Sequence, residues 1–357
     1  MTNNPNKTQK IYLCAFANLN LSTSAYRFYH QALNMGIFEN IFIYNECSLD
    51  LDFVKKFKNR FYEEVKYDAN LSNGGGGFKN KSFGGGRYDP YFVGDKLIKV
   101  TRGFGYWCWK PQVILQSLRQ INDNDILIYA DIGCEFNPKG VKGLLEKLEV
   151  LKTNEIMGFA CTEQDSNLSL AKFGFDIKEK TWAKMDIFHH FGVQNDPKFT
   201  DTPTIAATMM MMMKTPKTLK IINEWFDVFK THFHLIDDSP SIVPNDESFQ
   251  ENRHDQSIWS IINKKHNLKN FLYSDIEPVY NSKADGTEFG FIAARKRNTT
   301  MGNYFDTNGN FIKTYKISSS SKTLKRFLKI GGKILPSRQA RVWCRQILLL
   351  MNDDFFK

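Results

Sequence analysis

An uninterrupted apolar run, ILIYA at Ile126–Ala130, ends abruptly on a carboxylate, Asp131. A short continuous apolar run of this kind indicates a strand buried on both faces, which is typical of largely parallel sheets. In an open α/β sheet, ligands bind in the crevice beyond the carboxyl ends of the strands. The run therefore predicts an α/β fold, with Asp131 at the edge where a ligand would bind.

The rest of the chain alternates between strand-like and helix-like segments. Predicted strands begin at Lys10 and span Ile41–Tyr44, an amphipathic helix opens at Pro111, and the methionine run Met209–Met213 indicates a buried strand. This alternation predicts βαβ units and a largely parallel sheet. The chain has 357 residues, 42% of them hydrophobic, which is enough for one large domain or two small ones.

A change of composition at Ser318–Ser321 marks a predicted boundary between an α/β domain, residues 1–315, and a basic helical tail, residues 316–357. Between Lys316 and Arg345 every charged residue is basic, and apolar residues recur at helical spacing. A basic amphipathic helix of this kind lies on an anionic membrane surface, or packs its apolar face on the domain. We expect the membrane role and leave the packing alternative open.

The net charge of +10 favours anionic partners. Nucleic acid is not an expected partner, because the charge concentrates in the tail and no nucleic-acid-binding motif is present. There is no run of about eighteen apolar residues that could span a membrane. The six cysteines have no metal-binding or redox spacing, so we expect free thiols in a cytoplasmic protein, with possible peripheral attachment to the inner face of the membrane through the tail.

The carboxylates Asp131 and Glu135 have the chemistry of ligands for Mg²⁺ or Mn²⁺, which prefer oxygen and readily bridge to phosphates. The alternative is that Asp131 caps a turn in which Gly133 adopts a positive φ. A glycine-rich segment, residues 74–86, fits no known phosphate-binding spacing, and it is either a surface loop or a lid.

Three separated segments together resemble a known family. They are RGFGYWCWKP at 102–111, ILIYADIGCEF at 126–136 and ENRHDQSIW at 251–259. In this order they resemble bacterial glycosyltransferases of the GT-A fold, and most of all surface-polysaccharide enzymes with a G-Y-W-x-W-K-P segment ahead of a degenerate D-x-D strand. The resemblance covers roughly residues 10–281, and it implies a GT-A-like (Rossmann-like) mixed sheet flanked by helices.

The resemblance implies that Asp131 fills the first D-x-D position, where the family coordinates a divalent cation that holds the diphosphate of a nucleotide-sugar. Gly133 occupies the second position, so the dependence on a cation is open, with Glu135 as a substitute ligand. The resemblance also implies a donor-binding half, about residues 1–140, and an acceptor-binding half, about residues 141–315.

The segment before the helix has its own chemistry. Lys110 at a helix N-terminus and Arg102 could both pair with phosphate. Tyr106, Trp107 and Trp109 could stack on a base or a sugar ring, or could belong to the core. We predict that Arg102, Tyr106, Trp107 and Lys110, with Asp131 and Gly133, bind the donor.

The segment at 251–259 concentrates Arg253, His254 and Asp255 at the start of a predicted helix. Asp255 is either a helix cap or a catalytic carboxylate acting with Asp131, for example as the general base of an inverting transfer. We predict that Arg253 and His254 bind the acceptor, His254 also being able to donate a hydrogen bond to phosphate. The pair His189 and His190 is assigned to the acceptor cleft or to the surface.

These observations predict a glycosyltransferase that moves a sugar from a nucleotide-diphosphate sugar to a glycan or lipid-linked acceptor in capsule or lipopolysaccharide synthesis. The alternative is a non-catalytic nucleotide-sugar- or glycan-binding protein on the same fold. Donor sugar, acceptor, stereochemistry and oligomeric state cannot be read from the sequence.

Overall fold

The computed structural model describes residues 9–64, 91–93 and 96–294. The basic tail, its boundary near the serines and the glycine-rich segment lie outside the described residues, and the predictions about them stay predictions. Among the described residues, no helix combines the length and the hydropathy needed to cross a bilayer.

A six-stranded sheet forms the centre of the fold, in the order β10–β8–β9–β6–β1–β2. Strand β9 runs antiparallel to both neighbours, whereas the remaining pairs are parallel. The prediction of a mixed sheet flanked by helices is therefore confirmed. The strands are β1 (Ile11–Phe16), β2 (Asn40–Tyr44), β6 (Ile126–Ala130), β8 (Ile156–Ala160), β9 (Ile205–Met213) and β10 (Asn270–Leu272).

Two smaller sheets accompany the central one. One is a three-stranded antiparallel sheet, and the other pairs a short strand that follows β6 with a short strand near the end of the described residues. Their strands are β3 (Tyr62–Glu64), β4 (Tyr91–Val93), β5 (Lys96–Val100), β7 (Glu135–Phe136) and β11 (Phe291–Ile292).

Helices cover both faces of the central sheet. On one face, α2, α4, α10 and α11 contribute to one apolar cluster, and on the other α1 and α5 contribute to a second cluster. The helices are α1 (Ser22–Leu33), α2 (Leu51–Phe61), α3 (Gly103–Tyr106), α4 (Trp109–Gln120), α5 (Val141–Asn154), α6 (Glu163–Phe173), α7 (Glu179–Trp182), α8 (Met185–Phe191), α9 (Pro197–Thr200), α10 (Pro216–Thr231) and α11 (Asp255–Lys265).

The continuous apolar runs follow from burial on both faces. Along β6, Leu127 and Tyr129 pack in one cluster, while Ile128 packs in the other. The methionines of β9 alternate in the same way, and Met209 to Met212 are fully buried. Because successive side chains of a strand point to opposite faces, every position of a central strand must be apolar when both faces are covered. The predicted methionine strand is confirmed.

The two predicted halves of the domain share the central sheet. Strands β1, β2 and β6 come from the first 140 residues, and β8, β9 and β10 come from later in the chain. Strand β9 joins the two groups, since it pairs with β6 on one side and with β8 on the other.

Candidate functional site

Asp131 directly follows β6, at the carboxyl edge of the sheet. Its backbone N–H donates to the carbonyl of Thr208 at 2.8 Å, and its carbonyl accepts from the N–H of Cys134 at 2.9 Å. This tight turn leaves the Asp131 side chain 34% exposed. Gly133 is buried and does not have a positive φ, so the interpretation of the turn as one that needs a left-handed glycine is wrong.

Lys110, in the first turn of α4, is buried beneath Asp131. Its Nζ donates to the carbonyl of Ala207 at 2.9 Å and lies 2.6 Å from Oδ2 of Asp255 and 3.3 Å from Oδ1 of Asp131. Burial opposes the charge on Lys110, but the attraction of the two carboxylates outweighs it and raises the pKa of the ammonium. Lys110 is therefore a buried cation that holds two carboxylates together.

Asp255 is the first residue of α11 and is nearly fully buried. Burial raises the pKa of its carboxyl to about 6, although Lys110 acts in the opposite direction and Asp131 adds repulsion. A carboxylate at a helix N-terminus is favoured by the helix dipole. Tyr129 completes the group, since its hydroxyl donates to Oδ1 of Asp131 at 2.5 Å. We call Lys110, Tyr129, Asp131 and Asp255 the strand-end cluster.

The cluster corrects the predicted role of Lys110. An ammonium has three N–H donors, and here a carbonyl and two carboxylates surround it. With its three donors directed at these oxygens, Lys110 has none left to pair with a phosphate, contrary to its predicted role. The sequence placed Lys110 correctly at a helix N-terminus, but it gave no sign that α11 would bring Asp255 onto the same ammonium.

Glu135 does not join Asp131 at the exposed edge, contrary to its predicted role as a metal ligand. It is fully buried in β7, where its charge acts on Arg27 of α1. Arg27 is also fully buried, and it donates to the carbonyls of Ile132 and Cys134 at 3.0 and 2.8 Å. The pair therefore fixes the turn that carries Asp131. Sequence reasoning missed Arg27, because a single arginine in a largely polar helical segment gave no sign that it would be buried.

The residues fit a divalent cation only in a limited way. In the described part of the chain, no three histidine, cysteine, aspartate or glutamate side chains group as a metal site. Both contacts of the Asp131 carboxylate given above use Oδ1, so Lys110 and Tyr129 do not occupy Oδ2. Mg²⁺ is commonly held by one or two carboxylates together with substrate phosphates. Asp131 therefore suits a cation that arrives with a diphosphate, and does not form a metal site by itself.

The segment between Arg102 and α4 has an unusual backbone. Residues Gly103 to Tyr106 are assigned as the short helix α3, yet Phe104, Tyr106 and Trp107 all have positive φ, at 53°, 55° and 60°. Such backbone in non-glycine residues costs about 1–3 kcal/mol each and clusters at functional sites. At Gly103, a Cβ would lie 2.3 Å from the Trp107 ring, so glycine is required there.

The side chains of this segment divide between the core and the site. Trp109 stacks on Phe16 with ring centroids 4.2 Å apart and is buried, which settles the core alternative for this tryptophan. Tyr106 and Trp107 are half-buried and contact the ring of His254, at centroid distances of 5.4 and 5.3 Å. The structure thus brings together residues that were predicted for separate donor and acceptor subsites.

Arg102 and Arg253 converge on one carboxylate, Glu251. Arg102 lies 3.4 Å from Glu251 and 3.8 Å from Asp238, and Arg253 lies 3.5 Å from Glu251 while its guanidinium stacks on Trp182 at 3.9 Å. The Arg253 side chain is 38% exposed, against 18% for Arg102. Arg253 is the more accessible of the two cations for an anionic ligand.

His189 and His190 lie at the exposed end of α8. The ring of His190 is 4.4 Å from that of His232, and it borders an outer groove along α10 that also includes Glu224 and Lys265. Burial and the neighbouring histidines lower the pKa of His190. Within the described part of the chain, neither histidine takes part in the ion pairs of the strand-end cluster, so the surface interpretation fits them better than the acceptor cleft.

No protein-family model matches the sequence, and no curated protein matches it. Two glycosyltransferase structures resemble the chain. WbbM, a bifunctional glycosyltransferase in its apo form, aligns with a TM-score of 0.40 and 11% identity over 84% of this chain and 48% of its own. Mouse xyloside xylosyltransferase 1, also apo, aligns with a TM-score of 0.36 and 9% identity over 79% of this chain and 97% of its own. The chain thus spans about half the length of WbbM.

Proposed function

We propose that the protein is a glycosyltransferase that moves a sugar from a nucleotide-diphosphate sugar to a glycan or lipid-linked acceptor, in the synthesis of a surface polysaccharide. The observation that carries the proposal is Asp131, a one-third exposed carboxylate at the carboxyl end of a central strand, held in place by a buried cation. That edge is where ligands bind in open α/β sheets.

The residues of the strand-end cluster have different roles in the proposed reaction. Asp131 reaches the ligand, and Lys110 and Tyr129 fix the orientation of its carboxylate through Oδ1. The Asp255 carboxylate is held 2.6 Å from the Lys110 ammonium, so Asp255 acts as a positioning residue through Lys110. Preorganised groups of this kind stabilise charge in a transition state without having to reorganise.

Charge that develops on the leaving diphosphate needs cations. Arg253 is the accessible cation beside the segment 251–259, and Arg102 lies behind it on the same Glu251. Asp131 would hold a divalent cation, which would supply additional Lewis-acid stabilisation of the diphosphate. The protein would supply one carboxylate ligand to this cation, from Asp131, and Gly133 and Glu135 would supply no ligand.

The second candidate is a nucleotide-sugar-binding protein without transfer activity. The observation in its favour is the loss of a second accessible carboxylate, since Gly133 replaces the aspartate of D-x-D and Glu135 is turned into the core. Both candidates require donor binding, and they differ in turnover.

A thermal-shift and hydrolysis screen tests the proposal. UDP-, GDP- and CDP-sugars are added to the full chain, with the parent nucleoside diphosphates and free sugars as matched controls. We expect at least one nucleotide-sugar to stabilise the protein by about 2.7 kcal/mol at a hundred times its Kd, and to be hydrolysed slowly. Stabilisation without hydrolysis or transfer favours the binding protein, and the absence of any stabilisation contradicts both candidates.

The single accessible carboxylate leads to a prediction about the cation. Because Asp131 alone cannot chelate, we expect millimolar Mn²⁺ without nucleotide to leave the melting temperature unchanged. We expect Mn²⁺ to increase the stabilisation by a nucleoside diphosphate, because the diphosphate completes the ligand set. The comparison is one melting curve each for Mn²⁺, nucleotide and both. A shift with Mn²⁺ alone, lost in Asp131→Asn, would show a preformed metal site and contradict this prediction.

A further inference from the structure

His254 is a buried histidine whose ring has an unused acceptor atom. Its side chain is 2% exposed, and its Nδ1 lies 2.6 Å from the carbonyl oxygen of Ile236. A carbonyl oxygen can only accept, so Nδ1 carries the proton in this hydrogen bond. In the neutral ring, Nε2 is then a lone-pair acceptor.

The surroundings keep the ring neutral. Burial lowers the pKa of His254 to about 3, and the nearby charges of Arg102, Lys184 and Arg253 act in the same direction. The Nε2 atom lies 3.7 Å from Oδ1 of Asp238, which is too far for a hydrogen bond, and it has no partner among the described residues. Two acceptors therefore face one another with no donor between them, an arrangement that a ligand with hydroxyl groups would satisfy.

The backbone conformation of His254 is energetically unfavourable. Its φ of 56° and ψ of −119° are unfavourable for any residue with a Cβ, and the sequence nevertheless has histidine rather than glycine there. The two rings that contact it, Tyr106 and Trp107, also have positive φ. Strained backbone on both sides of one contact indicates that the arrangement of these three rings is itself required.

We propose that Tyr106, Trp107, Asp238 and His254 form a subsite for a neutral sugar ring, a hydroxyl group of which donates a hydrogen bond to Nε2 of His254. We call these four residues the His254 subsite. The half-buried rings of Tyr106 and Trp107 offer apolar surface for the face of the sugar, and Asp238, half exposed, offers a second acceptor at the solvent side.

The acceptor character of Nε2 decides the class of ligand. An ionised phosphate presents acceptor oxygens alone, so it cannot pair with Nε2, and the expectation that His254 donates to a phosphate is replaced here. The proposal rests on the proposed transferase function in one respect. If the protein is a transferase, the sugar ring in the His254 subsite belongs either to the donor or to the acceptor.

The first experiment observes the imidazole directly. Long-range ¹H–¹⁵N correlation spectra of the ¹⁵N-histidine-labelled full chain are recorded at neutral pH with three kinds of probe: methyl glycosides, nucleoside diphosphates and nucleotide-sugars. We expect the unprotonated Nε2 resonance of His254 to move upfield with a methyl glycoside or a nucleotide-sugar and to stay in place with nucleoside diphosphates, which lack the glycosyl group. A response to methyl glycosides assigns the ring to the acceptor, and a response restricted to nucleotide-sugars assigns it to the donor.

The second experiment uses a matched pair of variants and calorimetry. His254→Asn keeps an N–H near the position of Nδ1 and removes the Nε2 acceptor, whereas His254→Gln offers an oxygen near the position of Nε2. We expect His254→Asn to weaken binding of the responding probe about tenfold, with the nucleoside diphosphate unchanged, and His254→Gln to recover most of the loss.

The outcomes separate this proposal from the proposed function. If nucleotide-sugars bind but no probe moves Nε2, the subsite is wrong and the function stands. If methyl glycosides move Nε2 while no nucleotide compound binds, the subsite stands and the function is wrong. A shift of Nε2 by nucleoside diphosphates, or an equal loss of their binding in His254→Asn, would mean that the base or the ribose of the nucleotide occupies the pocket, and would overturn the subsite for a donor or acceptor sugar ring.

Discussion

Replacing Lys110 with methionine is expected to lower the free energy of unfolding by about 3–5 kcal/mol, because removing one partner of a buried ion pair leaves uncompensated charge behind. Two carboxylates, Asp131 and Asp255, depend on this ammonium. The loss should be smaller at about pH 5 than at about pH 8, since protonation of Asp255 removes the charge that needs a partner. Denaturant unfolding at both values measures the effect.

Two controls make the Lys110 result specific. Lys55→Met removes a lysine with a 75% exposed side chain from α2, and it should change stability by less than about 0.5 kcal/mol. The double variant Lys110→Met/Asp255→Asn should be more stable than Lys110→Met alone, because one of the two unpaired charges is gone. If the single variant is as stable as the wild type at both pH values, Lys110 does not act as the buried cation of the cluster.

Asp131→Asn is expected to reduce turnover of the nucleotide-sugar by a factor on the order of 100–1000, the range for removing one preorganised electrostatic contact. The fold should survive, since asparagine has nearly the same shape and the side chain is partly exposed. Steady-state kinetics should give a fall in kcat that exceeds any rise in KM, because the lost contact acts mainly on the transition state.

A surface carboxylate supplies the matched comparison for Asp131. Asp123 lies at the opposite end of β6 and its side chain is 84% exposed, so Asp123→Asn should leave kcat unchanged. Melting curves of both variants show whether the protein is folded under assay conditions. Unchanged turnover in a folded Asp131→Asn protein would remove Asp131 from the mechanism, and with it the main support for the proposed activity.

The fold was readable from the sequence where burial on both faces forced continuous apolar runs. ILIYA at Ile126–Ala130 and the methionine run Met209–Met213 are both central strands, and Asp131 lies at the predicted edge. These features depend on local pattern alone. The antiparallel direction of β9 was not predicted as such, because strand direction depends on the connections between strands and not on the residues of the strand.

The partners within the site were not readable in the same way. Lys110 and Asp255 lie far apart in the chain, and their 2.6 Å contact arises because α4 and α11 pack on the same face of the sheet. Glu135 was assigned to the exposed edge by its distance along the chain from Asp131, but the turn between them directs it toward Arg27. Likewise, the contacts of Tyr106 and Trp107 with His254 depend on positive φ values at all three residues, and no motif in the sequence predicts them.

The position of β9 has a consequence for how the domain unfolds. The strands of the first 140 residues and those that follow meet only through β9 within the described central sheet, whose hydrogen bonds run to β6 on one side and to β8 on the other. Neither group can separate without exposing a ladder of unpaired peptide groups and the methionines of β9. Strand β9 therefore makes the candidate donor side and the acceptor side unfold as one cooperative unit. A destabilising substitution in either half would lower the stability of the whole domain.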